Sequence, residues 1–314
     1  MQAVTIVDGA LEWREHPDPE PGVGEVLVEV RAAGISNADL LQRAGFYPAP
    51  PGVPRDIPGL EAAGEVVALG PGSSRFSVGD RVMAVLAGGG HAERFVVHER
   101  AALPVPPGVP WEQAGAFPEN VTTAHDALFT QSGLTMGERL CVHGAAGGVG
   151  TCAVLLGSLA GADVVATVRD EAKRASVAAL AASVAVVAPE DFVGSGPFDV
   201  ILELVGGPNL PADVEALAIG GRISVIGVGA GGTAEVNLLA LMGKRGRILA
   251  STLRARPLEQ KADAARRVER AVLPALADGS LDLPIAATFA MHDAAAAYDH
   301  FTSGAKVGKI VLVT

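Results

Sequence analysis

Residues 140–150 constrain the fold of this chain more than any other segment. They read Leu-Cys-Val-His-Gly-Ala-Ala-Gly-Gly-Val-Gly, which is an apolar strand, a glycine-rich turn and the start of an apolar helix. A second strand-like run follows the helix, at residues 163–168. Glycines in such a turn let the backbone approach a pyrophosphate, whose charge the helix N-terminus stabilises. The segment therefore predicts a strand–turn–helix unit that binds a dinucleotide.

The rest of the chain has two regions with different patterns of apolar residues. Over roughly the first 115 residues, short β-type runs are separated by glycine and proline, which is typical of a β-barrel or sandwich. Residues 46–58 hold five prolines and are expected to form a long loop. After Trp111, strand-like and helical stretches alternate, which predicts a parallel sheet covered by helices. The strand-like stretches are 139–143, 163–168, 183–187, 198–204, 222–226 and 247–251, and helices are expected at 150–160, 170–182, 210–218, 258–276 and 293–303, before a final strand at 309–313.

The composition excludes several classes of protein. With 49% hydrophobic and 19% charged residues, the chain is far from a disordered composition. A formal charge of −11 argues against nucleic acid as a partner, because phosphate backbones are held mainly by Lys and Arg. Residues 140–162 carry no formal charge, but their six glycines favour a strand–turn–helix over a membrane span. We expect a cytoplasmic protein with no membrane or nucleic-acid partner.

The end of the second strand indicates which dinucleotide binds. NAD-preferring sites usually place an acidic residue there, but here Arg169 comes first and Lys173 follows one helical turn later. Two cations that face one anion favour the 2′-phosphate of NADPH. Asp170 comes one residue too late for the NAD pattern, and it keeps NAD open as the alternative.

The chain resembles the zinc-free quinone oxidoreductases of the medium-chain dehydrogenase/reductase superfamily, of the zeta-crystallin type and closest to the tumour-suppressor-inducible branch. The resemblance rests on residues 35–47, 59–64, 83–90, 118–124, 145–150, 244–246 and 308–311. It implies an α/β fold, with a Rossmann doubly wound parallel sheet plus a GroES-like β-barrel substrate domain. By this pattern residues 1–116 and 255–314 form the substrate domain, and 117–254 form the NADPH-binding domain. The short-chain dehydrogenases are excluded, because neither tyrosine is followed by the Lys of their Tyr-xxx-Lys motif.

The same resemblance argues against a metal. Zinc-containing members carry a Cys at the position of Asn37 and a His at that of Leu60, and a structural site normally needs four thiolates. This chain has only Cys141 and Cys152, both in the predicted nucleotide domain. Without zinc or a Tyr/Lys pair, nothing stabilises the alkoxide of an alcohol substrate. A quinone or an enone needs less help, because hydride addition leaves a delocalised anion. We therefore expect a zinc-free enzyme that acts on a conjugated carbonyl.

The predicted catalytic residues are Tyr47 and Asn37. Tyr47, on the proline-rich loop, would orient or protonate the acceptor oxygen, or else serve as a loop anchor over a hydrophobic pocket. Asn37 would donate a hydrogen bond near the nicotinamide or the acceptor, or else cap a helix that starts at Ala38. The resemblance implies that Thr123 packs against the nicotinamide ribose or amide. The other predicted cofactor contacts lie in the glycine turn, at strand ends or near the nicotinamide: Ala146, Gly147, Gly148, Val149, Gly150, Arg169, Lys173, Leu204, Val205, Ile226, Gly227, Val228, Gly229 and Leu253.

Three functions remain open from the sequence. The first is NADPH-dependent quinone reduction by hydride transfer from nicotinamide C4. The second is reduction of enoyl thioesters or other enones such as 2-alkenals, and the third is a non-catalytic NADPH-binding role. We also expect a homodimer in which the strand at 247–251, the last of the nucleotide sheet, pairs with its copy. Alternatively Lys244, Arg245, Arg247 and Arg254 guard that edge and keep the chain monomeric.

Overall fold

The computed structural model describes all 314 residues and divides them into two compact units. The first unit contains Met1–Thr122 and Leu253–Thr314, and the second contains Thr123–Thr252. None of the helices combines the length and the apolar character needed to span a bilayer. Each unit is built around its own sheet.

The first segment of the first unit is mainly β-structure. Its strands follow glycine- and proline-punctuated runs, and in the longest of them Val26, Val28 and Val30 alternate with less buried residues to form one wall of the core. The elements, in chain order, are β1 (Gln2–Val7), β2 (Ala10–Glu15), β3 (Glu25–Gly34), α1 (Asn37–Arg43), β4 (Glu61–Leu69), β5 (Arg81–Val85), β6 (Arg94–His98), β7 (Ala102–Pro104), α2 (Trp111–Ala116) and α3 (Pro118–His125).

The second unit is a six-stranded sheet in which every neighbouring pair of strands is parallel. Its elements are β8 (Arg139–Val142), α4 (Gly148–Leu159), β9 (Asp163–Thr167), α5 (Arg174–Ala178), β10 (Ala185–Val187), β11 (Phe198–Glu203), α6 (Leu210–Ala216), β12 (Leu217–Val225), α7 (Leu238–Lys244) and β13 (Arg247–Ala250). The strand order is β10-β9-β8-β11-β12-β13. This is the doubly wound order, in which strands are added outward in one direction from β8 and in the other direction from β11, and in folds of this kind dinucleotides bind at that switch point. The predicted Rossmann fold class is confirmed.

The returning segment completes the sheet of the first unit. It contains α8 (Leu258–Ala271), α9 (Leu273–Ala277), β14 (Ile285–Ala290), α10 (Ala294–Thr302) and β15 (Lys309–Val313). β15 pairs antiparallel with β3 and parallel with β14, so that the seven-stranded sheet runs β14-β15-β3-β4-β5-β7 with β6 also paired to β3. The N-terminal and C-terminal segments therefore share one core.

Two predicted helices are wrong in length. The helix expected at 258–276 is broken, because Pro274 lies in the first turn of α9 and cannot donate a hydrogen bond to the preceding turn. The helix expected at 170–182 is a 3₁₀ turn followed by the short α5, since Asp170 caps the turn. The sequence patterns also missed β2, β7, α2, α3, α7 and β14.

Candidate active site

The glycine turn after β8 has two different kinds of glycine. Gly144 has a φ of +66°, which favours glycine, and Gly150 lies against the turn so closely that an added Cβ would be 2.4 Å from the Gly144 oxygen. An added Cβ on Gly147 would meet only that oxygen, at 3.4 Å. The fold therefore requires a glycine at 150, whereas the space beside Gly147 is open to a ligand.

The N-terminus of α4 is exposed to a ligand. Gly147 is its N-cap and has no side chain to accept hydrogen bonds from the first turn, and residues 146–149 are only partly buried. The first backbone N–H groups of a helix have no partner within it, and they carry the positive end of the helix dipole. An uncapped N-terminus at the switch point of a doubly wound sheet is suited to a pyrophosphate.

Replacing Gly147 by alanine is expected to weaken dinucleotide binding without destabilising the chain. The methyl group fits the protein itself but occupies the space where a phosphate would approach the backbone. We expect a Kd higher by about tenfold, or about 1.4 kcal/mol, with the melting temperature unchanged, as measured by calorimetry and thermal unfolding. Gly150→Ala is the comparison, because it should lower the melting temperature. Unchanged affinity in Gly147→Ala would contradict the site.

Loops from two strands meet beside this turn. Glu203 ends β11, and its carboxylate accepts hydrogen bonds from the backbone N–H groups of Val205 and Gly206, the latter at 2.7 Å. The loop after β12 joins it, because the N–H of Gly227 donates to the Glu203 carbonyl at 3.1 Å. Gly227 packs so tightly that an added Cβ would lie 2.3 Å from the Leu204 oxygen. The predicted contacts at 204–205 and 226–229 are thus held together at the carboxyl edge of the sheet.

A buried polar cluster supports these loops from inside the sheet. His143 lies between Asp213, with Nε2 and Oδ1 2.9 Å apart, and Thr167, with Nδ1 and Oγ1 3.0 Å apart. Burial alone lowers the pKa of His143, but Asp213 and Cys141 outweigh it and raise that pKa to about 10. The charged imidazolium donates to both neighbours, so it links the turn after β8 to β9 and α6.

The same cluster contains the ligand types of a metal site. Donor atoms of His143, Glu203 and Asp213 all lie within 4.8 Å of one another. The Glu203 carboxylate, however, is engaged by two backbone N–H groups and by the Asn209 amide at 2.9 Å. Both ring nitrogens of His143 are likewise engaged, by Asp213 and Thr167. The atoms of Glu203 and His143 that could bind a metal are therefore already used in hydrogen bonds that hold the surrounding loops. Glu203 and Asp213 were not among the predicted site residues, and no local signal marks them, because Asp199 lies on the same strand as Glu203 and Glu215 lies on the same helix as Asp213.

The strand end after β9 differs in detail from the prediction. Arg169 precedes the 3₁₀ turn Glu171–Lys173, and the Asp170 side chain caps that turn by accepting from the Ala172 N–H at 3.1 Å. The turn that joins Arg169 to Lys173 is therefore not α-helical, and their approach to one anion stays a prediction. The Lys173 ammonium lies 3.2 Å from Asp170, and the Arg174 Nε donates to the Val168 carbonyl at 3.1 Å. Three basic residues, Arg169, Lys173 and Arg174, thus follow the end of β9 in the chain.

Asn37 is exposed at the first position of α1 and does not cap it. Ser36 is the N-cap, in a reciprocal arrangement with Asp39, whose carboxylate accepts from the Ser36 N–H at 2.8 Å. The alternative in which Asn37 caps a helix from Ala38 is therefore wrong, because α1 begins at Asn37 itself. The Asn37 amide is not used for capping.

The proline-rich loop at 46–58 has no helix or strand, as predicted, and it is tied to the rest of the first unit. The Gln42 amide donates to the Arg55 carbonyl at 3.1 Å, and the Ile57 carbonyl accepts from the Gly89 N–H at 2.9 Å. Tyr47 is half-buried under the Arg254 guanidinium, 4.7 Å from the ring centroid. The loop therefore holds Tyr47 in a defined place.

The remaining two predicted residues lie where the chain passes from one unit to the other. Thr123, in α3, is buried at the start of the second unit, and Leu253 is half-buried at the start of the returning segment. Leu253 lines a small cavity of about 20 Å³ within the first unit, together with Thr122 and Lys261. The Thr122 hydroxyl there is buried without a hydrogen-bond partner.

The positions that carry zinc ligands in the resembled family do not fit a zinc ion here. Leu60 is a buried residue without a donor atom. The nearby Asp39 carboxylate already accepts hydrogen bonds from the Ser36 N–H and, at 2.9 Å, from the N–H of Gly59, the residue before Leu60. Zinc requires about three protein ligands of the N, S or O type. These side chains do not supply them.

Comparison with known proteins gives two family models. Residues 22–129 match the alcohol dehydrogenase GroES-like domain, and residues 161–312 match the zinc-binding dehydrogenase model. The first match lies within the first unit apart from its last residues, and it confirms the GroES-like part of the predicted fold class.

Similar proteins include a large synthase and several quinone oxidoreductases. Erythronolide synthase EryA2 of Saccharopolyspora erythraea is 34% identical over 97% of this chain, which spans only 8% of that protein. Quinone oxidoreductase of Homo sapiens is 31% identical over 75% of this chain and 73% of its own length. Among solved structures, the quinone oxidoreductase of Thermus thermophilus, described with its NADPH complex, superposes over the whole of both chains with a TM-score of 0.85 and 32% identity.

Proposed function

This chain belongs to the medium-chain dehydrogenase/reductase superfamily, and from that membership we propose that it is a nicotinamide-dependent oxidoreductase that reduces quinones without zinc, with NADPH as the hydride donor. The observation that carries the proposal is the uncapped N-terminus of α4 at the switch point of the sheet, with Gly147 open to a ligand. Quinone oxidoreductases among the relatives support the choice of acceptor.

The chain's own residues would bind and orient the cofactor. The backbone at 146–150 would hold the pyrophosphate, and the loops at 204–205 and 226–229 would line the nicotinamide half, joined by Thr123 and Leu253. Glu203 keeps the first loop in place through its hydrogen bonds to Val205 and Gly206. When bound, the nicotinamide supplies the hydride. The protein contributes orientation and charge stabilisation.

Tyr47 and Asn37 would act on the acceptor. Hydride addition to a quinone leaves the electron pair on an oxygen, and the Tyr47 hydroxyl is suited to donate a hydrogen bond and then a proton to it. The phenolate then regains a proton from water. The exposed Asn37 amide would hold the acceptor or the nicotinamide by a further hydrogen bond. No metal is required, because the anion is delocalised over the ring.

NADPH is the proposed cofactor because of the charge at the end of β9. Arg169 is exposed there, and Lys173 and Arg174 follow within five residues. A 2′-phosphate carries the charge that such a group attracts, whereas a ribose hydroxyl prefers an acid. Asp170 is engaged as the cap of the next turn and by Lys173, which leaves it poorly placed to hold a hydroxyl.

Reduction of enoyl thioesters or other enones is the second candidate. The specific observation in its favour is the match of 97% of this chain within erythronolide synthase, at a higher identity than the human quinone oxidoreductase. The two acceptor classes share a conjugated carbonyl, so the same chain residues would serve both.

A panel of acceptors separates the candidates. Oxidation of NADPH and of NADH is followed with benzoquinones, naphthoquinones, enoyl thioesters and 2-alkenals, with a metal chelator present. We expect turnover of quinones, and NADPH favoured over NADH by at least about tenfold. Turnover of enoyl thioesters alone would establish the second candidate. Tight NADPH binding without turnover of any acceptor would mean a non-catalytic role.

We also propose a homodimer formed through the second unit. β13 is the edge strand of the sheet, and exposed apolar side chains concentrate beside it, with Leu239 76% and Met242 70% exposed in α7 and Ile248 at the edge itself. Unpaired edges and apolar patches favour association with a copy. Arg254 does not guard this edge, because it is buried in the first unit.

Sedimentation equilibrium tests the dimer. We expect a species near twice the chain mass of 31.8 kDa. Ile248→Lys should shift it towards the monomer, because a charge on the edge strand opposes pairing. Val78→Lys is the control, since Val78 is an exposed apolar residue of the first unit. A wild-type species near the mass of one chain would contradict the dimer.

A further inference from the structure

Arg254 makes an unusual set of contacts for a cation near the start of the returning segment. Its Nε donates to the Ala87 carbonyl at 2.7 Å, and its Nη1 donates to the Tyr47 carbonyl at 2.8 Å. Its Nη2 donates to the Gln42 side-chain oxygen. The guanidinium also covers the face of the Tyr47 ring. Only 4% of the residue is exposed.

These contacts join three separate parts of the first unit. Gln42 lies in α1, Tyr47 is the second residue of the proline-rich loop, and Ala87 precedes the glycines at 88–90. The loop and the glycine segment touch beside the guanidinium, because a Cβ added to Gly88 would lie 2.9 Å from Val53 and 3.6 Å from Arg254. One side chain therefore fixes the relative position of the helix, the loop and the glycine segment.

Only an arginine fits this arrangement. Its planar guanidinium presents N–H donors in several directions of one plane, and here three of its nitrogens each reach a different acceptor. A lysine ammonium could not reach all three acceptors and stack on the ring. Burial lowers the pKa of Arg254 from its usual value, and Tyr47 and Asp39 oppose that effect. The three acceptors compensate for the removal of the charge from water.

We propose that Arg254 is the positioning residue of the acceptor site: it clamps the proline-rich loop at Tyr47, so that the Tyr47 side chain meets the acceptor in one orientation. The inference rests on the proposed function, since it gives Tyr47 the role of acceptor ligand. Arg254 itself acts through Tyr47 and the loop. Gln42 adds a second tie, because its amide donates to Arg55 in the same loop.

Hydrogen exchange tests the clamp without any reference to activity. In Arg254→Met the loop loses its anchor, and amide exchange at residues 46–57 should become faster by about tenfold or more relative to the wild type. Arg254→Lys should lie between the two, and it replaces the methionine variant if that variant does not fold. Arg270→Met is the matched control, because Arg270 is exposed in α8. Exchange that is unchanged in both Arg254 variants would overturn the proposal.

A double-mutant cycle tests whether the clamp acts through Tyr47. In the wild type, Arg254→Met should lower kcat/KM for a quinone by on the order of tenfold to a hundredfold, because a small misplacement of a catalytic group is costly. The Kd for NADPH should stay unchanged. In a Tyr47→Phe background, the same change should alter kcat/KM by less than about twofold. Fully additive losses would overturn the positioning role.

The failure of this inference and the failure of the proposed function give different results. If the wild type turns over no quinone or enone, the proposed function fails and the exchange experiment still decides whether Arg254 holds the loop. If turnover is present and exchange is unchanged, only the clamp fails.

Discussion

Replacing Lys309 by methionine is expected to lower the free energy of unfolding by about 3–5 kcal/mol, the cost of breaking a buried ion pair. Lys309 in β15 and Glu61 in β4 are both almost fully buried, and their charged atoms lie 2.5 Å apart. The ammonium also donates to the Ile35 carbonyl at 2.8 Å, and the other Glu61 oxygen accepts from the Glu119 N–H at 2.8 Å. Without Lys309, a carboxylate is left in the core of the first unit with no counter-charge.

The pH dependence of that loss has a definite sign. Burial raises the pKa of Glu61, and Lys309 opposes that effect. In Lys309→Met the pKa of Glu61 in the folded state rises further above its unfolded value, so folding takes up a proton. Stability of the variant is then retained below the unfolded pKa and lost as the pH rises towards the folded pKa. The deficit should be larger at about pH 8 than at about pH 5.

Chemical denaturation at both pH values measures these effects. The double variant with Glu61→Gln and Lys309→Met is the control, because glutamine keeps an acceptor for the Glu119 N–H and carries no charge. It should recover a large part of the lost stability. A loss below about 1 kcal/mol in Lys309→Met, or a double variant no better than the single one, would contradict this account of the core.

Replacing Tyr47 by phenylalanine is expected to lower kcat/KM for a quinone by about a hundredfold, or about 2.7 kcal/mol of transition-state stabilisation. The change removes only the hydroxyl. The aromatic ring under Arg254 and the carbonyl that accepts from Arg254 both remain. The loss should therefore appear in the reaction and leave the melting temperature and the Kd for NADPH unchanged.

The chain offers a matched control in its second tyrosine. Tyr298 is fully buried, and its hydroxyl lies 3.1 Å from Nδ1 of His91. Tyr298→Phe removes a buried hydrogen bond and should lower stability while the rate of the folded enzyme stays the same. Unchanged turnover in Tyr47→Phe would remove its role as proton donor and leave it as a loop anchor.

The parts of the fold that were predictable from sequence are those determined by local pattern. The glycine turn predicted β8, α4 and the parallel sheet around them, because a strand that runs into glycines and an apolar helix has few alternative folds. β15 was predicted at its observed limits, since it is a short apolar run that directly follows Gly308. Helix length was less predictable where Pro274 and Asp170 break the periodicity.

Features that depend on contacts between distant residues could not be predicted. His143 and Asp213 are 70 residues apart, and nothing local indicates that they pair. By sequence Arg254 belongs to a basic stretch beside an edge strand. In the structure it is buried, and it donates to the backbone carbonyl of Tyr47, which is 207 residues earlier in the chain. The Glu61–Lys309 pair likewise joins the two segments of the first unit. The roles of Arg254 and Lys309 follow from the way the chain returns to the first unit.

The most direct test of the central claim is a single-turnover measurement of hydride transfer. The enzyme is mixed with NADPH that carries deuterium at C4, then with a quinone, and the near-ultraviolet absorbance of the reduced nicotinamide is followed with a metal chelator present. We expect rapid oxidation of unlabelled NADPH and a severalfold slower rate with the deuterated cofactor, because the C4–H bond breaks in the step observed. No oxidation of bound NADPH by any quinone or enone, or oxidation that is abolished by the chelator, would contradict zinc-independent reduction of a conjugated carbonyl.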